Sequence, residues 1–150
     1  MTTGVDSRGN NNLDLLMDDY RLALNVSKWR KENPNAPYPG WAILAKKHLH
    51  RANLNEVDLH GAFLVETDLS EADLFGADLH EAVLYRANLS KADLREADLH
   101  EADLFKANLR GAMLAGANLI GTDLRGADLR KAGLIEKDRY EAKLKGAILT

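Results

Sequence analysis

Residues 71–90 read EADLFGADLHEAVLYRANLS and residues 91–110 read KADLREADLHEADLFKANLR. Laid over one another, the two lines match almost position for position. His80 falls on His100 and Tyr85 on Phe105, and His60 lies a further twenty residues upstream. Inside each line runs a shorter period, with Leu at every fifth residue. Followed outward, that Leu recurs seventeen times without a miss: Leu54, Leu59, Leu64, Leu69, Leu74, Leu79, Leu84, Leu89, Leu94, Leu99, Leu104, Leu109, Leu114, Leu119, Leu124, Leu129 and Leu134. A period of five matches neither the 3.6 of a helix nor the 2.0 of a strand. It matches a chain that turns a corner every fifth residue. Four such sides make up the twenty-residue period, so the chain winds as a square coil whose successive turns pair as parallel strands about 4.8 Å apart.

The same spacing sorts inside from outside. Ala stands two residues before each Leu, except at Val57, Thr67 and Thr122. Positions i and i−2 of a short extended segment point the same way, and i−1 points the other way. The Leu and the small residue therefore share an interior, while the Asp or Asn that usually precedes Leu faces out. Seven of the eleven glycines (61, 76, 111, 116, 121, 126 and 146) fall two residues after the Leu position. That is where a corner calls for positive φ.

Tandem Ala-Asp/Asn-Leu-X-X, as in Ala72-Asp73-Leu74-Phe75-Gly76, resembles the pentapeptide repeat family, which is abundant in bacteria. The resemblance covers residues 52–136. It implies a β solenoid, a right-handed quadrilateral parallel β-helix of about four coils, with the central Leu and the Ala at i−2 inside.

The ends read differently. Residues 1–11 are polar, rich in Gly and Asn, and expected to be disordered. Residues 12–50 form a helical extension and N-terminal cap. Leu13, Leu16, Met17, Tyr20 and Leu24 make a helical stripe within 12–32, and Pro34, Pro37 and Pro39 enforce an extended connector. Trp41 to Leu49 keeps Leu in phase, but Lys47 at an interior position predicts a buried unpaired charge, so this stretch reads as a short helix across the first coil. The β-helix then occupies 51–136. In 137–150, Lys137 and Arg139 fall on interior positions, so the chain leaves the coil there. Ala142/Leu144 and Ala147/Leu149 restore the rule. This tail is a degenerate repeat or a C-terminal cap, and the cap is the preferred reading.

Composition narrows the function. There is no cysteine, which removes disulfides, thiol chemistry and most structural zinc sites. No apolar run approaches the roughly 20 residues of a membrane span, and the N-terminus lacks a secretory layout, so a cytoplasmic protein is expected. A net charge of −3 argues against direct nucleic-acid binding. The repeats carry neither a catalytic constellation nor a phosphate-cradling loop, and outward carboxylates on a convex tower have no pocket to shift their pKa values. No enzyme activity and no cofactor are expected.

What remains is a scaffold that binds protein. Phe63 and Val83 break the outward Asp/Asn rule twenty residues apart, and Val65, Tyr85 and Phe105 fill the adjacent column of the same wall. Such a patch needs cover from the chain's own helix 12–32, from another protein or from a second copy in a homodimer. A different partner follows from charge. Residues 52–136 hold sixteen acids against eight bases, and some members of the resembled family are acidic rods that mimic DNA and bind gyrase. Against this, Arg110, Arg125, Arg130 and Lys131 make the last coil basic, and Glu66/Arg86/Lys106 and Glu71/Lys91 form mixed columns. A third reading rests on the stacked Asp58, Asp78 and Asp98 beside His60, His80 and His100, a metal- or pH-responsive surface; because duplication of a coil copies its His automatically, no metal is expected there, and these three histidines are its only candidates.

Overall fold

The computed structural model describes residues 12–36, 43–135 and 145–150, with side chains from Asp19 onward. Helix α1 (Asn12–Glu32) precedes a four-walled tower. Every β-bridge is parallel and joins a residue to the one twenty later, in columns that start at Ile43, His48, Asn53 and Asp58. On each wall the bridging residue donates to the coil before it and the following Leu donates to the coil after it. Asp78 N–H meets Val57 O at 2.9 Å, and Leu79 N–H meets Asp98 O at 2.8 Å. Each corner is closed by a turn hydrogen bond such as Ala82 N–H to Leu79 O, 3.0 Å.

The corners carry conformational strain. Among the described residues, the residue two past the Leu position lies in the left-handed region, and twelve of these residues are not glycine. All twelve are Lys, Arg or Glu, with φ between 53° and 61°. Such a conformation costs about 1–2 kcal/mol for a residue with a Cβ. A backbone hydrogen bond to the following coil, such as Glu81 N–H to His100 O at 2.8 Å, holds it in place, and the long side chain keeps its charged head in water. At Gly121 (φ 73°) a Cβ would also sit 2.9 Å from Glu101 Cγ, so glycine answers two demands at once.

The interior is a column of Leu and Ala. Fifteen of the seventeen repeat leucines are buried, while Leu119 and Leu134 are only partly so. Thr67 and Thr122 occupy Ala positions without cost, because each buried hydroxyl donates to a backbone carbonyl (Leu44 O at 2.7 Å, Leu99 O at 2.8 Å).

The tower starts earlier than the sequence suggests. Ile43 and His48 bridge Phe63 and Asp68, and Leu44 and Leu49 are fully buried, so residues 43–50 are coil and not a short helix. Lys47 fits because it is not alone. Its Nζ lies 3.1 Å from Asp19 Oδ1 on α1. The top coil has a helix, rather than another coil, on its open side, and that helix supplies the counter-charge.

Helix α1 is the lid. Asp19 Oδ2 accepts His48 N–H at 2.8 Å and Ser27 Oγ accepts Asp58 N–H at 2.9 Å. These two donors would otherwise look for a preceding coil. Eight helical residues span about 12 Å, which lets one helix reach both opposite walls. Ala23 and Val26, both 0% exposed, plug the mouth between them. The face turned to the tower is thus Asp19, Ala23, Val26, Ser27 and Arg30. Leu24 of the expected stripe is exposed, Tyr20 packs partly against the core, and the side chains of Leu13, Leu16 and Met17 lie outside the described residues.

At the far end, residues 145–150 rejoin the coil. Ile148 bridges Asp128, and Leu129 N–H donates to Ile148 O at 2.8 Å. The resumed coil, and not the preferred cap, therefore describes this stretch. Lys137, Arg139 and Tyr140 lie outside the described residues, as do residues 1–11 and Trp41.

Candidate functional site

Two neighbouring walls carry what is chemically unusual. On the first, the column Ile43–Phe63–Val83 is bridged in register, and Ile43 and Phe63 are 52% and 48% exposed. Beside it, Val65 is half-buried, and the Tyr85 and Phe105 rings stack with centroids 5.8 Å apart. Cations edge the rings. Arg86 lies 6.0 Å from the Tyr85 centroid, and Lys106 and Arg125 lie 5.0 and 5.5 Å from that of Phe105. Helix α1 does not lie along this wall. It crosses the end of the tower, bound to His48 and Asp58, and Pro34 and Ala36 border a cavity with His60, Gly61 and Phe63 at one corner. The expectation that α1 covers the apolar wall is corrected. The open edge of the first coil holds the helix through hydrogen bonds that an apolar wall cannot offer. Ile43, the topmost member of the patch, was not anticipated, because its segment did not read as coil.

On the preceding wall, Asp58, Asp78 and Asp98 stack in register. The His60 and His80 rings are 3.5 Å apart, tilted by 45°, and His80 Nδ1 lies 2.6 Å from Asp78 Oδ1. His100 does not join them. Its Nδ1 faces Ile120 O at 3.0 Å and its Nε2 lies 3.5 Å from Glu101. The ladder of three histidines is thus a pair and a separate third.

Elsewhere, several outward carboxylates have cationic partners. Arg95, Arg125 and Arg130 fold back on Asp93, Asp123 and Asp128, two residues earlier. The side-chain hydrogen bond from each Arg holds its carboxyl below the usual carboxylate range. Arg86 meets Glu66 at 3.3 Å, and Arg51 and Lys91 meet Glu71 at 2.7 and 3.6 Å. A lowered folded pKa contributes stability that is complete above the unfolded value of about 3.9 and is lost as pH falls through the folded value. The difference in melting temperature between wild type and Arg130→Ala is therefore expected to stay constant from pH 7 to pH 5 and to shrink towards pH 3. A difference that grows on acidification would contradict this pairing.

The pentapeptide repeat model matches residues 40–70, 72–111, 92–131 and 107–150 in eight copies. The chain belongs to the pentapeptide repeat family. Its tower is accordingly a right-handed quadrilateral β-helix. A pentapeptide repeat protein from Nostoc Pcc 7120 is 38% identical over 71% of this chain and 84% of its own, with a TM-score of 0.49. One from the Arabidopsis thaliana thylakoid lumen is 28% identical over 77% and 88%, with a TM-score of 0.43. QnrB1, a plasmid-mediated fluoroquinolone resistance protein, is 20% identical over 57% and 54%, with a TM-score of 0.31. Among curated proteins none matches significantly. In this pentapeptide repeat protein, no helix among the described residues is long and apolar enough to cross a membrane.

Proposed function

We propose that this pentapeptide repeat protein is a non-catalytic scaffold that binds another protein through the wall of Phe63, Val65, Val83, Tyr85 and Phe105. One observation carries the reading. A flat, backbone-locked surface presents exposed aliphatic and aromatic groups beside stacked rings edged by Arg and Lys, the composition that dominates protein interfaces. The site is built before the partner arrives, so little ordering entropy opposes binding. The partner surface that fits is apolar at its centre, with carboxylates opposite Lys106. A DNA-like stripe of charge fits less well, because arginines cover Asp93, Asp123 and Asp128 and cations bridge Glu66 and Glu71.

The test compares three immobilised proteins in native extract: wild type, Tyr85→Glu/Phe105→Glu, and Phe75→Glu on another wall. A partner held by wild type and by Phe75→Glu, and lost by the double variant, supports the docking wall. Light scattering reads whether wild type self-associates. A dimer that the double variant turns into a monomer would replace the foreign partner with a second copy. Equal retention of every protein by all three, with unchanged mass, would refute the proposal.

A further inference from the structure

We infer that His60, Asp78 and His80 form a binding site for a divalent transition-metal ion, zinc being the simplest occupant. The donor atoms of these three side chains lie within 4.8 Å of one another. A fourth oxygen is at hand, since Glu81 Oε2 is 3.8 Å from His60 Nε2. Imidazole with carboxylate suits zinc, copper and nickel. Zinc ligands sit about 2.0–2.1 Å from the metal in a tetrahedron, so donor atoms end roughly 3.4 Å apart. Rotation of these half-buried side chains closes that gap without moving the backbone.

The backbone is already fixed. Asp58 and Asp78 are bridge partners, and Gly61 N–H donates to His80 O at 2.8 Å, which holds the two rings one coil apart. Neither ring lies loose on the surface, for the two imidazole side chains are 29% and 28% exposed.

A second observation sets this wall apart from the other three. Its run of Asp58, Asp78 and Asp98 is the longest stack of consecutive Asp residues among the described columns. Stacked carboxylates about 4.8 Å apart repel one another. Elsewhere the protein relieves that repulsion in one of two ways. Asn88 interrupts the opposite column, donating to Asp68 Oδ1 at 3.1 Å, as Asn118 does for Asp98 where the present stack ends, and Arg95, Arg125 and Arg130 fold back on the Asp two residues earlier. Here the stack runs unbroken for three coils, and the residue two after each Asp is His. A neutral imidazole offers a lone pair instead of a charge, so an ion held between His60 and His80 does for Asp78 what arginine does for its counterparts. This wall is distinct from the apolar one, so the metal site stands or falls independently of the docking proposal.

Substitutions can be drawn from the repeat itself. Ser70 and Ser90 occupy the position of His80 in other columns, and Asn88 and Asn108 that of Asp78, so His80→Ser and Asp78→Asn keep the coil. Titration calorimetry of the full chain with zinc chloride is expected to show one equivalent bound in the micromolar range. Both variants should weaken it by at least about tenfold, and His100→Ser should leave it unchanged. On wild type alone, the ring resonances of His60 and His80 should shift on zinc addition while those of His100 stay in place. Absence of one-to-one binding, an equal loss in His100→Ser, or ring shifts confined to other histidines would each overturn the site.

Discussion

Leu79→Ala is expected to lower the stability of the folded chain by about 2–5 kcal/mol, the range for a buried leucine whose surroundings relax only in part. The surroundings of Leu79 are poorly able to relax. Its side chain is 0% exposed, with Leu59 and Leu99, equally buried, one coil away on either side. Its backbone is tied to Asp98 in the next coil and to Ala82 across the corner. Walls spaced by backbone hydrogen bonds cannot move in to fill a void, so the result should lie in the upper part of the range. Leu134→Ala removes the same atoms from the partly buried end of the column and should cost clearly less. Urea or thermal denaturation of both variants checks this. Equal losses would mean that the end of the column is packed as tightly as its middle, against the burial difference between Leu79 and Leu134.

The second large effect is expected at the lid. A chain that starts at residue 43 leaves His48 and Asp58 N–H without their acceptors and Lys47 without Asp19. It also opens an edge of parallel strands, which invites pairing with another copy. Light scattering should find oligomers or aggregates, with a lowered melting temperature for any soluble fraction. Asp19→Ala isolates the chemistry. It removes one edge acceptor and the partner of Lys47, at a cost of about 1–3 kcal/mol, and Lys47→Met in the same chain should recover part of that loss. A soluble, monomeric 43–150 chain with unchanged melting would show that α1 is not a lid.

The interior of the tower was legible because each of its residues is judged by neighbours five and twenty positions away. Leu at i, Ala at i−2 and Gly at the corners obey rules local to one coil, and the spacing of His60, His80 and His100 revealed the number of walls. The ends escaped because they obey different rules. Lys47 is unacceptable between two coils and acceptable beneath a helix, and its partner is 28 residues away at Asp19, which no periodicity announces. The lid face was missed for a related reason. An exposed strand edge asks for hydrogen-bond acceptors, so α1 meets it with Asp19 and Ser27 around small Ala23 and Val26, whereas a search for an apolar stripe selects Leu24, which stays exposed. At the C-terminus, Lys137 and Arg139, which suggest a departure from the rule, lie outside the described residues. Ile148 is nonetheless twenty residues after Asp128, a count that leaves room for resumption. In the candidate sites, column membership was readable from spacing, but the turning of His100 away from His80 towards Ile120 O depends on rotamers that spacing does not encode.

The twenty-residue bridge has a geometric corollary for how such a chain can change. The tower behaves as a screw with four stops per revolution. Loss or gain of a whole revolution shortens or lengthens every ladder by one rung, and each wall keeps its own character. Loss of a single five-residue step preserves the buried Leu and Ala but turns everything beyond it by one stop. Deleting 66–70, for example, would leave every interior position satisfied while setting Asn88 over Phe63 and Val83 over Asp58. The apolar wall and the Asp stack would both be cut in a protein whose core records no error. Stability constrains this chain modulo five, whereas its surface is written modulo twenty.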